Sequence, residues 1–173
     1  MERKDVNFNT PDRWSGRTPL SWAAENGHEG IVKLLLERKG VTPDTPDTEY
    51  GRTPLSWAAE NGHEGIVKVL LERKDVTPDT PDTRCGRTPL SWAAGNGDEG
   101  IVKLLLERKN VNLNTRDTWD GPRLLLWAAG KGHEGIVKLL LERKDVTPDT
   151  PDTWSGCTPL SRAAENEIGR AHV

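Results

Sequence analysis

Two hexapeptides, Gly95-Asn96-Gly97-Asp98-Glu99-Gly100 and Gly130-Lys131-Gly132-His133-Glu134-Gly135, have the G-x-G-x-x-G spacing that lets backbone N–H groups cradle a phosphate. That chemistry needs a strand before the glycines and a helix N-terminus after them, within a βαβ unit. Here each hexapeptide follows a helical pattern, and the matching places elsewhere read ENGHEG, so nucleotide binding is not expected. His28, His63 and His133 recur in register, with Asp98 in the same column. A metal site brings its ligand atoms to about 2 Å from one ion, whereas packed helix pairs stand roughly 8–10 Å apart. The column therefore reads as structural hydrogen bonding in an inter-helix turn. Cys85 and Cys157 lie two repeat lengths apart, beyond the roughly 7 Å that a disulfide spans. The recurring Thr-Pro pairs read as turn geometry rather than as phosphorylation sites. H-E-x-x-H, paired C-x-x-C, G-x-S-x-G and P-loop patterns are absent, and carboxylates are spread evenly. An active site gathers unlike groups at one place, and this chain copies one group along a line. No catalytic residue, cofactor or metal is expected.

That line comes from an internal repeat. Gly16, Gly51, Gly86, Gly121 and Gly156 are spaced by 35 residues, and residues 16–50 and 51–85 differ at four positions: Leu34/Val69, Gly40/Asp75, Glu49/Arg84 and Tyr50/Cys85. Four full units are expected, at 16–50, 51–85, 86–120 and 121–155, flanked by partial ones at 1–15 and 156–173, in a single domain. Each unit predicts two helices and a loop. Thr18-Pro19 is a helix start, threonine capping free N–H groups and proline fitting the first turn. Asn26-Gly27 ends that helix, and Glu29 opens a second, favoured at the positive end of its dipole. Ile31, Val32, Leu34, Leu35 and Leu36 give the second helix an apolar face, with Glu29/Lys33 and Lys33/Glu37 pairs outside it. VTPDTPDT then predicts an extended, turn-rich hairpin, because its prolines cannot donate to a ladder. One unit cannot bury its leucines alone; units stacked in a row can.

Composition narrows the setting. The chain has 173 residues, 34% of them hydrophobic, a net charge of −3 and two cysteines. This balance speaks against general affinity for nucleic acid or for anionic membranes. The longest apolar run, residues 124–129, is far short of the roughly 18 residues that span a bilayer. The opening MERKDVNFNT has no secretory signal core, and a cytoplasmic location is expected. Met1 falls in the column of Leu36, Leu71, Leu106 and Leu141, so the chain starts inside a second helix; ENEIGRAHV replaces ENGHEGIVK at the other end. Neither end reads as a polar cap, which predicts fraying or self-association there.

The run GRTPLSWAAENGHEGIVKLLLE is similar to the ankyrin repeat, with its pattern G-x-TPLHLAA-x-x-GH-x-x-IV-x-LLL. The resemblance covers essentially the whole chain. It implies a mainly α, ankyrin-type solenoid of helix–turn–helix units with hairpin-like fingers, binding other proteins through the fingers and the concave first-helix face. The unit departs from the usual 33 residues. Ser21, Ser56 and Ser91 replace the family histidine; Trp22, Trp57, Trp92 and Trp127 replace the following leucine; an ERKDV run replaces the glycine after the second helix. Near-identical copies with TPDTPDT fingers also resemble the arrays of fungal NOD-like (NACHT/NB-ARC-type) receptors, which sense non-self ligands.

Comparison between copies marks where packing leaves the residue free. Around each finger glycine the residues change: Trp14-Ser15/Arg17, Glu49-Tyr50/Arg52, Arg84-Cys85/Arg87, Trp119-Asp120/Pro122 and Trp154-Ser155/Cys157. A second variable place follows the double alanine, at Glu25-Asn26, Glu60-Asn61, Gly95-Asn96 and Gly130-Lys131. By the resemblance these places line the finger tips and groove, and Trp, Tyr and Arg are enriched in binding hot spots. The expected contact residues are Trp14, Ser15, Arg17, Glu25, Glu49, Tyr50, Arg52, Glu60, Arg84, Cys85, Arg87, Trp119, Asp120, Lys131 and Trp154. The tryptophan column is either core or an aromatic stripe offered to a ligand. The expected function is non-catalytic binding of another protein, as a ligand-sensing piece of a larger receptor. The alternative is a structural spacer or a recombination-derived remnant without activity of its own. Copy four, with RLLLWAA for TPLSWAA, is expected to be the soft point of the array.

Overall fold

The computed structural model describes residues 7–109, 111–113, 124–149, 151, 155–162 and 164. Among the described residues four helix pairs follow one another, α1 (Pro19–Glu25) and α2 (Glu29–Leu36), α3 (Pro54–Glu60) and α4 (Glu64–Leu71), α5 (Pro89–Asn96) and α6 (Glu99–Leu106), α7 (Leu124–Gly130) and α8 (Glu134–Leu141), and residues 159–162 are helical as well. There is no strand among the described residues.

The first helix of each of the first three pairs starts as its sequence dictates. Thr18, Thr53 and Thr88 are extended and accept the N–H of Ser21, Ser56 and Ser91 at 3.2, 3.2 and 3.3 Å. The serine hydroxyls lie 3.0, 3.2 and 3.1 Å from the threonine hydroxyls. Serine thus takes a polar role beside the cap in place of the family's histidine. Helix α7 begins at Leu124, where the other copies have proline, and Leu124, Leu125 and Leu126 are all buried. Its start is held by apolar packing.

The turn inside each pair passes through a left-handed glycine, with φ of 75°, 73°, 88° and 73° at Gly27, Gly62, Gly97 and Gly132. The second helices carry a glycine for a different reason. A Cβ at Gly65, Gly100 or Gly135 would run into the carboxylate of Glu29, Glu64 or Glu99 from the preceding unit. That carboxylate lies over the first turn of the next helix, where the dipole favours negative charge.

Packing runs down two rows, α1/α3/α5/α7 and α2/α4/α6/α8, and across each pair. This is a solenoid in which each unit touches its neighbours. The leucine after each finger (Leu20, Leu55, Leu90, Leu125), the alanines Ala24, Ala59 and Ala94, and Val32, Ile66, Val67, Leu70, Ile101, Val102, Leu105, Ile136 and Leu140 form one continuous core. The ERKDV run closes the back. Arg73, Arg108 and Arg143 donate to the carbonyls of Leu36, Leu71 and Leu106 in the preceding unit, at 3.3, 2.9 and 3.4 Å. Asp75 holds Arg73 in a bidentate pair at 2.7 and 2.8 Å.

The fingers are hairpins without regular ladders. Asp12, Asp47 and Asp82 each donate their N–H to the carbonyl five residues on, at Arg17, Arg52 and Arg87, at 2.9 Å. Successive fingers are tied by Thr48 N–H to Ser15 carbonyl at 2.9 Å and Thr83 N–H to Tyr50 carbonyl at 2.7 Å.

Candidate partner-binding face

The face made by the fingers and first helices is organised, in the three described fingers that precede α1, α3 and α5, by one aspartate each. Asp12 accepts the N–H groups of Trp14, Ser15 and Arg17 at 2.8, 2.7 and 3.0 Å. Asp47 accepts those of Glu49, Tyr50 and Gly51 at 3.1, 2.6 and 3.1 Å. Asp82 accepts that of Cys85 at 2.6 Å. The second oxygen reaches across to the helix: Trp22 Nε1 donates to Asp12 at 3.1 Å, and Trp57 Nε1 to Asp47 at 2.9 Å. A finger tip and a first-helix indole are therefore set by the same side chain. The sequence carries the signal as an Asp ten residues before each of these tryptophans, a spacing with no local helix or turn pattern to mark it.

The tryptophans do not pack among the leucines. They alternate with arginines. The Arg17 guanidinium lies 4.7 Å from the Trp22 ring centre and 3.7 Å from Trp57. Arg52 stands 4.6 Å from Trp57 and 4.3 Å from Trp92, and Arg87 is 4.6 Å from Trp92 and 4.0 Å from Trp127. Each arginine bridges the indole of its own unit and that of the next, placing a cation over two ring faces. Trp22, with arginine over one face, is 44% exposed, and Trp57, with two, is 5% exposed. The column is neither plain core nor open stripe but a stacked ladder. Carboxylates complete it: Arg17 pairs with Glu25 at 2.6 Å and Arg52 with Glu60 at 2.5 Å.

These contacts sort the expected contact residues. Ser15 and Arg17, each 8% exposed, are turned inward, the hydroxyl bonded to Asp12 at 2.8 Å and the guanidinium inside the ladder. Both are among the expected contact residues, and in the free chain turn capping and stacking bury most of each. Arg52, Arg87, Glu25 and Glu60 are half-buried parts of the same ladder. Tyr50 stands edge-on to Trp57, 6.2 Å between centres at 73°, with Arg52 and Arg84 over its ring at 5.1 and 5.6 Å. Trp14 is 96% exposed at its tip. Glu49, Arg84 and Lys131 are exposed, and Cys85 is half-buried and a free thiol, as is Cys157. Trp119, Asp120 and Trp154 lie outside the described residues.

The histidine column makes inter-unit hydrogen bonds. His63 Nε2 meets the Glu25 carbonyl at 2.9 Å, and His133 Nε2 the Gly95 carbonyl at 3.3 Å. Where Asp98 replaces histidine, Asn96 Nδ2 donates to the Glu60 carbonyl at 2.6 Å instead. Its counterparts Asn26 and Asn61 bond within their own helices, to Trp22 and Trp57 carbonyls at 2.9 Å. No group of three or more His, Cys, Asp or Glu is placed to hold a metal among the described residues. None of their helices is long and apolar enough to cross a membrane.

Burial and hydrogen bonding set the carboxyls apart. The N–H of Ser15 above all, with the Ser15 hydroxyl, Trp14 N–H and Trp22 indole, holds Asp12 well below the usual carboxylate range against some desolvation. Desolvation pushes Glu60 up despite the opposing charge of Arg52. It likewise raises Asp44 and Asp98. The face can therefore present rigid aromatic and cationic groups to a partner, with its own carboxylates largely committed.

The family described as Ankyrin repeats (3 copies) matches residues 1–82, 45–117 and 90–172. No curated protein matches the chain. Paired helices, fingers and stacked units agree with that match over most of the sequence, and the chain belongs to the ankyrin repeat family, whose members are protein–protein interaction modules.

Proposed function

We propose that this chain is a non-catalytic module that captures another protein through its finger tips and the first-helix face behind them. The observation that carries this reading is Trp14, a tryptophan left 96% exposed on a tip whose backbone is fixed by three hydrogen bonds to Asp12. A large aromatic carried on a backbone that is already fixed loses little backbone entropy on binding and has its whole ring to bury, which suits a hot-spot anchor. Tyr50 and Arg84 stack at neighbouring tips, and Trp119 and Trp154 occupy the same place in their units by sequence. The larger context proposed is a ligand-sensing segment of a cytoplasmic receptor, in keeping with the near-identical units and two free cysteines.

Alanine at Trp14, Tyr50, Arg84, Trp119 and Trp154 together tests the surface. Partner capture in a pull-down is expected to be lost while the helical circular dichroism is kept. Undiminished capture by the folded variant removes the proposal. The adjoining reading frame tests the receptor context: an encoded nucleotide-binding domain is expected upstream.

A further inference from the structure

Among the described residues, the ladder arginines of the first two units each pair with a glutamate of their own helix, and that of the third does not. Arg17 and Arg52 have Glu25 and Glu60 as partners. Gly95 stands where the third glutamate would be, and Arg87 has no carboxylate partner among the described residues. The nearest acid that acts on it, Glu60, is bonded to Arg52. In the next unit Lys131 replaces the asparagine of the earlier units and brings its ammonium to 5.4 Å from the Trp127 ring, whose centre is 4.0 Å from Arg87. At this place in the ladder, glycine at 95 removes the negative charge of the earlier glutamates and lysine at 131 adds a positive one. The indole link fails at the same place: Trp92 Nε1 is buried without a hydrogen-bond partner, and so is Asp82 Oδ2, though their counterparts are bonded in both preceding units.

We propose that Arg87, with Lys131 against the same Trp127 ring, receives a glutamate or aspartate side chain from an acidic segment of the partner protein. This rests on the protein-binding reading above. A guanidinium clamped between two indoles is planar, pre-oriented and poorly hydrated, conditions under which a carboxylate pair is strongest. The incoming carboxylate takes the role that Glu25 and Glu60 play in their own units. Asp82, next to the site, has one oxygen committed to Cys85 N–H and the other 3.8 Å from Arg52 Nε, an arginine it shares with Glu60; against these two carboxylates, Arg52, Arg87 and Lys131 leave one positive charge in excess.

The test uses acetyl-tetraglutamate amide as the probe and the indole N–H resonances of nitrogen-15-labelled full chain as the readout, assigned by Trp→Phe variants. Trp92 and Trp127 are expected to shift saturably, while Trp22 and Trp57, whose arginines are already paired, stay in place. Arg87→Gln is expected to weaken the response about tenfold or more. Gly95→Glu supplies the carboxylate from within and is expected to do the same. A Cβ at Gly95 comes 3.0 Å from the Trp127 ring, so unchanged Trp22 and Trp57 resonances serve as its folding control. Equal shifts at all indoles, an undiminished response in Arg87→Gln, or the same response to tetraglutamine overturns the proposal. A stronger response to inorganic phosphate reassigns the site to a phosphate and overturns it as well. Partner capture that persists while the probe fails sinks this inference alone; loss of both sinks the binding reading too.

Discussion

Arg52 touches Trp57, Trp92, Tyr50 and Glu60 at once. Removing its charge strips cation–π contacts from the rings and leaves the half-buried Glu60 unpaired. Arg52→Gln is expected to lower stability by roughly 2–3 kcal/mol in urea unfolding. Arg87→Gln, which strands no carboxylate among the described residues, is expected to cost less than half of that. The indoles divide in the same way. Trp57→Phe frees Asp47 of a donor and is expected to cost about 2 kcal/mol beyond the lost ring area, whereas Trp92→Phe, whose N–H has no partner, loses ring area alone. Asp98 adds a pH signature. Desolvation chiefly raises its carboxyl above the ordinary 3.8, with Glu64 adding to the shift and His133 opposing it. The folded state then holds a proton that the unfolded state has released, and stability falls as pH climbs above about 3.8. Asp98→Asn removes that loss. Its stability relative to the parent is expected to be greater near pH 6 than near pH 3 in paired denaturation curves. Variability between copies pointed to the tips, and Trp14 is on one. It could not distinguish a residue that varies because it faces water from an arginine hidden between rings, because a ladder is built across units and one unit's sequence does not contain its neighbour.

At the scale of the element, the first helices were the most legible. Threonine, proline and the Asn-Gly end sit where local rules place them, and the caps are made. What the sequence concealed were side chains that bond to the next copy: Glu29 over Gly65, His63 to the Glu25 carbonyl, Arg73 to the Leu36 carbonyl. Such contacts have sequence separations near one repeat length and carry no local pattern. Helix α3, capped by Thr53, and α7, which begins at Leu124 without that threonine and proline, form a natural comparison. Thr53→Ala is expected to cost about 1 kcal/mol. In native-state hydrogen exchange the amides of α7 are expected to open more readily than those of α3; equal protection would show that the buried leucines replace the cap in full.

At the scale of the molecule, identical modules side by side make two continuous surfaces of different character. The row α2/α4/α6/α8 is laced by Glu–Lys pairs such as Lys33–Glu29 at 2.6 Å, a solvated back. The row α1/α3/α5/α7 with its fingers carries the Trp–Arg ladder and the exposed tip aromatic. Such an array can serve as a spacer, held rigid by its inter-unit bonds, or as a receptor for a partner laid along the ladder. Deleting residues 51–85, which splices Tyr50 to Gly86 in register, shortens the span by one unit and keeps the tip at Trp14; capture is expected to survive it. The most direct measurement is hydrogen–deuterium exchange on the full chain with and without its captured partner. Added protection is expected in the fingers and in α1, α3, α5 and α7. Protection confined to α2, α4, α6 and α8 would contradict binding through the ladder face.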